Sequence, residues 1–305
     1  MGNSGLKVSV IGLGGINFGE SANETATIAL INRALDSGIN FIDTAYSYNE
    51  GRSEEFVGEA VRGRRSQVII ATKFGNPGGK DLNESRGSRS NITKELEVSL
   101  RRLQTDYIDL YQMHRPDPET PIEETLRALD DAVQAGKVRY VGCSNFGAWQ
   151  LCQALWASQV NNLNSFVAVQ PRYNLFDREI ETELVPCCQA YGIGVIPSAP
   201  LAMGFLTGKY RRGQEIPATA RLSRPALRYP PVMTGAEWEK LAKLETFATE
   251  NGHTVGELAL AWLIAKPYIS TVIAGVHKPD QVVANVAAAS WRLTAEQVTT
   301  VDMIS

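Results

Sequence analysis

Eight short apolar runs rich in β-branched residues recur along the 305-residue chain, and helix-like stretches separate them. Their near-continuous apolar character is typical of strands that are covered on both faces, as in a parallel sheet. Eight strand–helix units in a chain of this length predict an α/β protein with a closed (β/α)8 TIM barrel, formed as a single domain over residues 1–305. The runs span residues 8–14, 40–46, 68–73, 106–114, 138–145, 166–173, 194–200 and 271–275.

A doubly wound Rossmann sheet is the alternative fold. Its support is the glycine-rich stretch Gly12-Leu13-Gly14-Gly15 at the end of the first run. The dinucleotide fingerprint G-x-G-x-x-G requires a third glycine, but Asn17 and Phe18 occupy that part of the chain. The number of strand–helix units therefore favours the barrel.

Two helix starts carry recognisable capping patterns. Thr120-Pro121-Ile122-Glu123 has the form of a capping box with proline at the first helical position, and Gly136 marks the predicted end of that helix. Thr294-Ala295-Glu296-Gln297 has the same form and predicts a C-terminal helix.

The longest interval between strands separates the seventh run from the eighth. Residues 207–232 in this interval carry six Lys or Arg residues and four prolines without a helical period. Long irregular segments in compact domains are often lids or binding loops. Two interpretations are therefore open for this segment: a loop that clasps an anionic ligand, and a charged, solvated loop.

Composition and charge exclude several classes of protein. The net charge is −3, so no strongly basic face for nucleic acid or an anionic membrane is expected. The longest apolar run, 258–265, is too short to cross a bilayer, and the N-terminus does not resemble a signal peptide. The four cysteines form no C-x-x-C motif. These features predict a cytoplasmic protein with free thiols and no membrane or nucleic-acid partner.

Polar residues stand where the predicted strands end. In a barrel of this kind the working face lies at the C-terminal ends of the strands. Asp43 and Tyr48 follow the second run, Lys73 closes the third and His114 closes the fourth. We therefore expect a carboxylate, a phenol, an ammonium and an imidazole at one rim. The chain has no H-x-H, H-E-x-x-H or Cys/His cluster, so no metal site is predicted.

Six segments in this order resemble the aldo-keto reductase superfamily. The resemblance implies a (β/α)8 barrel, a nicotinamide cofactor and carbonyl reduction, with NADPH favoured over NADH. The last segment is most similar to the branch of bacterial reductases and potassium-channel β-subunits. The segments are Asp43-Thr44-Ala45 with Tyr48, Thr72-Lys73-Phe74-Gly75, and residues 112–117, 142–146, 170–174 and 199–210.

The resemblance also implies catalytic roles for four residues. Tyr48 would be the general acid, and the Lys73 ammonium would favour the phenolate that remains after proton transfer. Asp43 would pair with Lys73 and keep it charged. Neutral His114 would donate a hydrogen bond that orients the carbonyl oxygen.

A larger set would bind the cofactor by the same resemblance. Ser144, Asn145 and Gln170 would bind the nicotinamide carboxamide, Leu201, Gly204 and Lys209 would lie along the pyrophosphate, and the segment from Gly275 to Asn285 would hold the adenosine end. An arginine of the long loop, Arg221 or Arg224, would add phosphate charge. Ser198 stands where relatives place an aromatic ring that stacks on the nicotinamide, and His277 stands where they place a 2′-phosphate contact. The set is Asp43, Ser144, Asn145, Gln170, Ser198, Leu201, Gly204, Lys209, Gly275, His277, Lys278, Gln281 and Asn285.

Two functions remain open from the sequence. The first is an enzyme that reduces small aldehydes, ketones or sugars, with a monomer as the default state. The second is a regulatory barrel that binds NADP(H) to sense redox state with little turnover. The complete set of four catalytic residues favours the enzyme, because a sensor has no need to deliver a proton.

Overall fold

Eight parallel strands form one sheet in the computed structural model, which describes residues 1–76, 85–216, 220 and 235–305. The sheet order is β7-β6-β5-β4-β3-β2-β1-β8, so consecutive strands are neighbours. All eight predicted runs contain a strand, which confirms the barrel and makes the Rossmann alternative wrong. The strands are β1 Ile11–Gly14, β2 Phe41–Asp43, β3 Ile69–Phe74, β4 Ile108–Met113, β5 Val138–Ser144, β6 Phe166–Gln170, β7 Gly194–Val195 and β8 Val272–Gly275.

The sheet closes between its first and last members. Strand β1 pairs with both β2 and β8. At the other edge, the Val195 N–H donates to the carbonyl of Tyr268, and the Ser270 N–H donates to the carbonyl of Val195. Strand β7 therefore meets the segment that leads directly into β8, which completes the ring.

Ten α-helices lie in the described residues, and most consecutive pairs of helices contact one another around the outside of the barrel. The helix that ends the chain is the one predicted from Thr294, whose side chain accepts from the Gln297 backbone N–H. The helices are α1 Glu24–Asp36, α2 Arg52–Ala60, α3 Arg89–Leu103, α4 Ile122–Gln134, α5 Ala148–Asn161, α6 Leu184–Tyr191, α7 Gly235–Glu250, α8 Val255–Ala265, α9 Pro279–Ala288 and α10 Ala295–Ile304.

The predicted capping box at Thr120 is wrong. Helix α4 begins at Ile122 with Pro121 as its N-cap residue, and no side chain caps it. The Thr120 hydroxyl instead donates to Asp117 at 2.7 Å. Asp117 also accepts from the Gly87 backbone N–H at 2.8 Å, so this threonine serves the loop before α3 rather than α4.

Two strands are shorter than their apolar runs because of proline. Strand β6 ends at Gln170, since Pro171 has no N–H to donate to a ladder. Strand β7 keeps only Gly194 and Val195, and Pro197 follows it closely. The chain stays extended beyond both prolines, where the Ser198 N–H donates to the carbonyl of Pro171 at 2.8 Å.

Side chains alternate along the strands between the barrel interior and the helices, as the pleat requires. Ile42, Ile70 and Tyr111 belong to the larger apolar cluster that packs under the helices. A second, smaller cluster fills the barrel interior, and Met1 and Val8 of the N-terminal segment pack against it from the strands' N-terminal side. Its buried members are Leu6, Phe41, Ala71, Leu110, Ala168, Ile196 and Ile273.

No helix within the described ranges combines the length and the apolar character that a membrane span requires.

Candidate active site

Inward-facing positions at or just beyond the C-terminal ends of seven strands form a mainly polar layer above the apolar interior. The strand period of two places these residues two positions beyond an interior apolar residue, as Asp43 follows Phe41 and Lys73 follows Ala71. The strand register places these residues at the same height along the barrel axis, because Lys73 pairs with Gln112 and Ser144 pairs with Gln170. The layer contains Asp43, Lys73, Gln112, Ser144, Gln170, Ser198 and Gly275.

Lys73 and Asp43 form a buried ion pair at the centre of this layer. Lys73 Nζ donates to Asp43 Oδ2 at 2.6 Å and to the Thr44 carbonyl oxygen at 2.9 Å. Burial lowers the pKa of Lys73, but the Asp43 carboxylate and the nearby Tyr48 hydroxyl outweigh it, so the pKa lies above its usual value. The ammonium therefore stays charged at neutral pH.

Tyr48 lies on the loop after β2, with its hydroxyl oxygen 3.4 Å from Lys73 Nζ. The loop turns sharply because Asn49, Glu50 and Gly51 have positive φ values of 51°, 59° and 93°. Asn49 Nδ2 donates to the carbonyl oxygens of Ile16 and Phe18, at 2.9 and 2.6 Å, and this fixes the turn to the loop after β1. The phenol is thereby held over the ammonium.

His114 completes the cluster at the end of β4. Its ring meets the Tyr48 ring edge-on, with centroids 5.9 Å apart and an interplanar angle of 76°. Burial, aided by the positive charges of Lys73 and Arg115, lowers its pKa to about 3. Its buried Nδ1 has no hydrogen-bond partner among the residues that the structure describes. The imidazole is thus neutral, and no protein partner at Nδ1 fixes its tautomer.

The lowered pKa of His114 makes the protein less stable in acid. In the unfolded chain this histidine titrates near pH 6.5, so between about pH 6.5 and 3 the unfolded state binds more protons. We expect the free energy of unfolding to fall by up to about 2 kcal/mol between pH 7 and 5 through this residue alone. Urea titrations at both pH values, with His114→Gln as the reference, measure the difference. An equal pH dependence in both proteins would contradict this assignment.

Gln112 belongs to the site but was not predicted as a site residue. Its Nε2 donates to Asp43 Oδ1 at 3.3 Å, and Gln170 Nε2 donates to the same oxygen at 2.9 Å. One oxygen of Asp43 therefore accepts from Lys73, and the other oxygen accepts from the two amides. The strand period of two is the sequence signal that identifies it, since Gln112 lies two positions after the interior residue Leu110 and two before His114.

Three residues predicted for the nicotinamide carboxamide lie side by side. The Ser144 hydroxyl donates to the carbonyl oxygen of Gln170 at 2.7 Å and lies 3.0 Å from Asn145 Nδ2. Asn145, in the left-handed region with φ 60°, also donates to the His114 carbonyl oxygen at 2.9 Å. The Ser144 hydroxyl and the Asn145 and Gln170 amides thus donate to groups of the protein itself. Their side-chain oxygens are acceptors, which suit the N–H donors of a carboxamide.

The predicted pyrophosphate segment forms a tight turn. Ala202, Met203 and Gly204 have successive positive φ values of 45°, 56° and 94°. A Cβ at Gly204 would lie 2.6 Å from Lys209 Nζ, so the absence of a side chain there lets the ammonium approach the turn. Leu201 precedes this turn and is half-buried. A left-handed turn beside a lysine fits a phosphate group.

Ser198, the predicted replacement for a stacking aromatic ring, directs its hydroxyl toward the backbone of Pro171. Its hydroxyl donates to the Pro171 carbonyl oxygen at 3.0 Å, and its side chain is half-buried. It therefore supplies a small polar wall next to Gln170 rather than a ring face.

The predicted adenosine segment runs from Gly275 into α9. Gln281 Oε1 accepts from the backbone N–H groups of His277 and Lys278, at 2.7 and 3.1 Å, and so caps the helix. His277 Nδ1 lies 3.0 Å from the Ser21 hydroxyl. Asn285 lies one turn beyond Gln281 on α9. The exposed Lys278 and the start of this ten-residue helix suit a phosphate.

Most of the predicted clasping loop, with Arg221 and Arg224, lies outside the described residues. Within the described ranges, no group of three or more His, Cys, Asp or Glu side chains is arranged to hold a metal ion. The donor set at this face, made of amides, hydroxyls and lysines, fits a nicotinamide dinucleotide.

The model of the aldo/keto reductase family matches residues 10–305, and the chain belongs to that family. Its members are NAD(P)H-dependent oxidoreductases that act on small carbonyl compounds.

Named relatives fall into two groups. A probable voltage-gated potassium channel subunit beta from Oryza sativa is 37% identical over 94% of this chain and 89% of its own length. A putative subunit of the same name from Schizosaccharomyces pombe is 38% identical, over 100% and 92%. Aldo-keto reductase YhdN from Bacillus subtilis is 35% identical, over 96% and 89%. The chain is therefore similar to proteins named as reductases and to proteins named as channel subunits.

Proposed function

We propose that this protein reduces aldehydes or ketones to alcohols with NADPH, and that Tyr48 is the general acid. One observation carries the proposal: Lys73 Nζ lies between the Asp43 carboxylate, at 2.6 Å, and the Tyr48 hydroxyl, at 3.4 Å. This arrangement favours a phenol that can release its proton and bear the resulting charge next to a fixed cation.

When bound, a nicotinamide dinucleotide would supply a hydride for the carbonyl carbon. As negative charge develops on the carbonyl oxygen, Tyr48 transfers the proton from its hydroxyl to that oxygen. Lys73 stabilises the phenolate that remains. Asp43, held by Gln112 and Gln170, keeps the ammonium in place and charged. In the reverse direction the phenolate takes the proton of the alcohol.

Neutral His114 positions the substrate. Since its pKa is lowered to about 3, the ring stays uncharged across the physiological range and acts as a hydrogen-bond donor rather than as an acid. With Nδ1 unpartnered in the described part of the chain, the proton can reside on Nε2 and be donated to the carbonyl oxygen. Two donors, Tyr48 and His114, would then hold that oxygen.

The preference for NADPH rests on charge. Lys209 lies beside the turn at Gly204, and Lys278 precedes α9 at the predicted adenosine end. A 2′-phosphate adds negative charge, which nearby ammonium groups favour. The family usually uses NADPH, which agrees with this assignment.

A regulatory barrel with little turnover is the second candidate. The observation that favours it is the similarity to relatives named as potassium channel β subunits. A barrel of that kind would bind NADP(H) tightly and pass its redox state to a partner. The buried Lys73–Asp43 pair beside Tyr48 favours the enzyme, because cofactor binding alone does not need it.

Steady-state oxidation of NADPH in the presence of 4-nitrobenzaldehyde separates the two functions. We expect sustained consumption of many equivalents of NADPH per protein and a higher kcat/KM with NADPH than with NADH. Tight cofactor binding without consumption would support the regulatory barrel. A higher kcat/KM with NADH would reverse the cofactor assignment and leave the reductase assignment intact.

A further inference from the structure

Two cysteines on neighbouring helices bring their sulfur atoms together. Cys152 of α5 and Cys187 of α6 have their Sγ atoms 3.1 Å apart, although 35 positions separate them in the chain. Both residues are partly exposed, whereas Cys143 and Cys188 are buried. A disulfide bond has an S–S distance of about 2.05 Å, so a small approach of the two sulfurs is enough to form one.

The two helices that carry the pair offer no charged partner to either sulfur. Helices α5 and α6 contain no charged residue, so no lysine, arginine or carboxylate of these helices competes for the thiols. In the described ranges no third ligand completes a metal site around them. Apart from Cys152, the Cys187 sulfur contacts the Ala148 carbonyl oxygen, at 4.0 Å. Neither thiol has a part in the proposed reaction.

The two thiols are not equivalent. Burial, together with the hydrogen bond and charge of Cys152, raises the pKa of Cys187 to about 12. Cys187 therefore keeps its proton at neutral pH, and the thiolate rather than the thiol is the form that attacks an oxidant. We therefore assign the first reaction to Cys152 and the resolving step to Cys187.

We propose that Cys152 and Cys187 form a reversible modification site, at which a hydroperoxide oxidises the two thiols to an intramolecular disulfide joining α5 to α6. Cys152 attacks one oxygen of hydrogen peroxide, the O–O bond breaks, and a sulfenic acid and one water result. The Cys187 sulfur then attacks the Cys152 sulfur, the S–O bond breaks, and a second water leaves. Two thiols and one peroxide thus give one disulfide and two waters.

The position of the bond links it to the candidate site. Cys152 lies near the start of α5, and a short segment joins it to Ser144 and Asn145 at the end of β5. The loop that the bond closes runs from 152 to 187 and contains β6 with Gln170. The disulfide would therefore hold together the elements proposed to carry the carboxamide contacts. Closing a loop of this length restricts the unfolded chain.

The experiment compares the reduced protein with protein treated with hydrogen peroxide. We expect two of the four thiols to disappear, the intact mass to fall by about 2 Da and a cross-linked peptide to contain Cys152 and Cys187. The melting temperature should rise by about 5 °C, and dithiothreitol should reverse every change. Four intact thiols after treatment, stable sulfinic acid at Cys152, or a disulfide between two chains would overturn the proposal.

Matched variants test the pairing itself. Cys187→Ser should remove the cross-link and leave Cys152 to further oxidation, while Cys188→Ala, which changes the adjacent buried thiol, should still form it. Loss of the cross-link in a folded Cys188→Ala protein, with its retention in Cys187→Ser, would contradict the assignment. The thiol counts do not depend on catalysis, so they stand apart from the proposed reductase function.

Discussion

Tyr48→Phe is expected to fold like the parent protein and to reduce carbonyl compounds about 10²–10⁴-fold more slowly. The variant loses only the hydroxyl that donates the proton. Its ring keeps the edge-on contact with His114, and Lys73 keeps its bonds to Asp43 and the Thr44 carbonyl. The measurement is kcat with 4-nitrobenzaldehyde, together with the Kd of NADPH, which should change little.

The matched control for this substitution is Tyr46→Phe. Tyr46 lies on the same loop, but its ring stacks against the Arg102 guanidinium, which lies 4.7 Å from the ring centroid. Removing its hydroxyl leaves the proton donor in place, so near-parental turnover is expected. If Tyr48→Phe retained near-parental turnover as well, Tyr48 would not be the general acid.

Lys73→Met is expected to lower both stability and turnover. The ammonium is buried against Asp43, so its removal leaves a buried carboxylate without a counter-charge. Removing one partner of a buried ion pair costs about 3–5 kcal/mol of unfolding free energy. The phenol of Tyr48 would also lose the adjacent cation, and kcat should fall by at least about 10²-fold. Denaturant titration and steady-state kinetics measure the two effects.

The double variant Asp43→Asn with Lys73→Met separates the two losses. With both charges removed, most of the unfolding free energy should return, because no buried charge is left unpaired. Gln112 and Gln170 can still donate to the carbonyl oxygen of the new amide. Turnover should remain low, since the cation is still missing. A double variant that regained turnover would show that the ammonium has no part in the reaction.

Strand periodicity explains how much of the site can be predicted from sequence. The eight apolar runs locate the strands, and the polar residues Asp43, Lys73 and His114 stand out at the ends of theirs. Gln112 does not stand out, because it lies inside a run of near-continuous apolar character and not at its end. Counting positions by two from Leu110 places it inward, next to Asp43.

Other features depend on tertiary contacts that local patterns do not encode. The motif at Thr120 matches a capping box, but its hydroxyl donates to Asp117, which also accepts from Ser85 and Gly87 in the loop before α3. The 3.1 Å distance between the Cys152 and Cys187 sulfurs depends on the packing of α5 against α6, and no spacing of residues in the sequence predicts it. The ends of β6 and β7, in contrast, can be predicted from sequence, because Pro171 and Pro197 follow these strands.

We propose that four side chains from three successive strand ends deliver a proton where a dinucleotide delivers a hydride. Single-turnover reduction of 4-nitrobenzaldehyde by NADPH that carries deuterium at both positions of the reactive nicotinamide carbon tests this proposal most directly. We expect deuterium on the carbinol carbon of the alcohol, which the parent protein forms and which Tyr48→Phe forms much more slowly. Unlabelled alcohol, or labelled alcohol formed equally fast by both proteins, would contradict it.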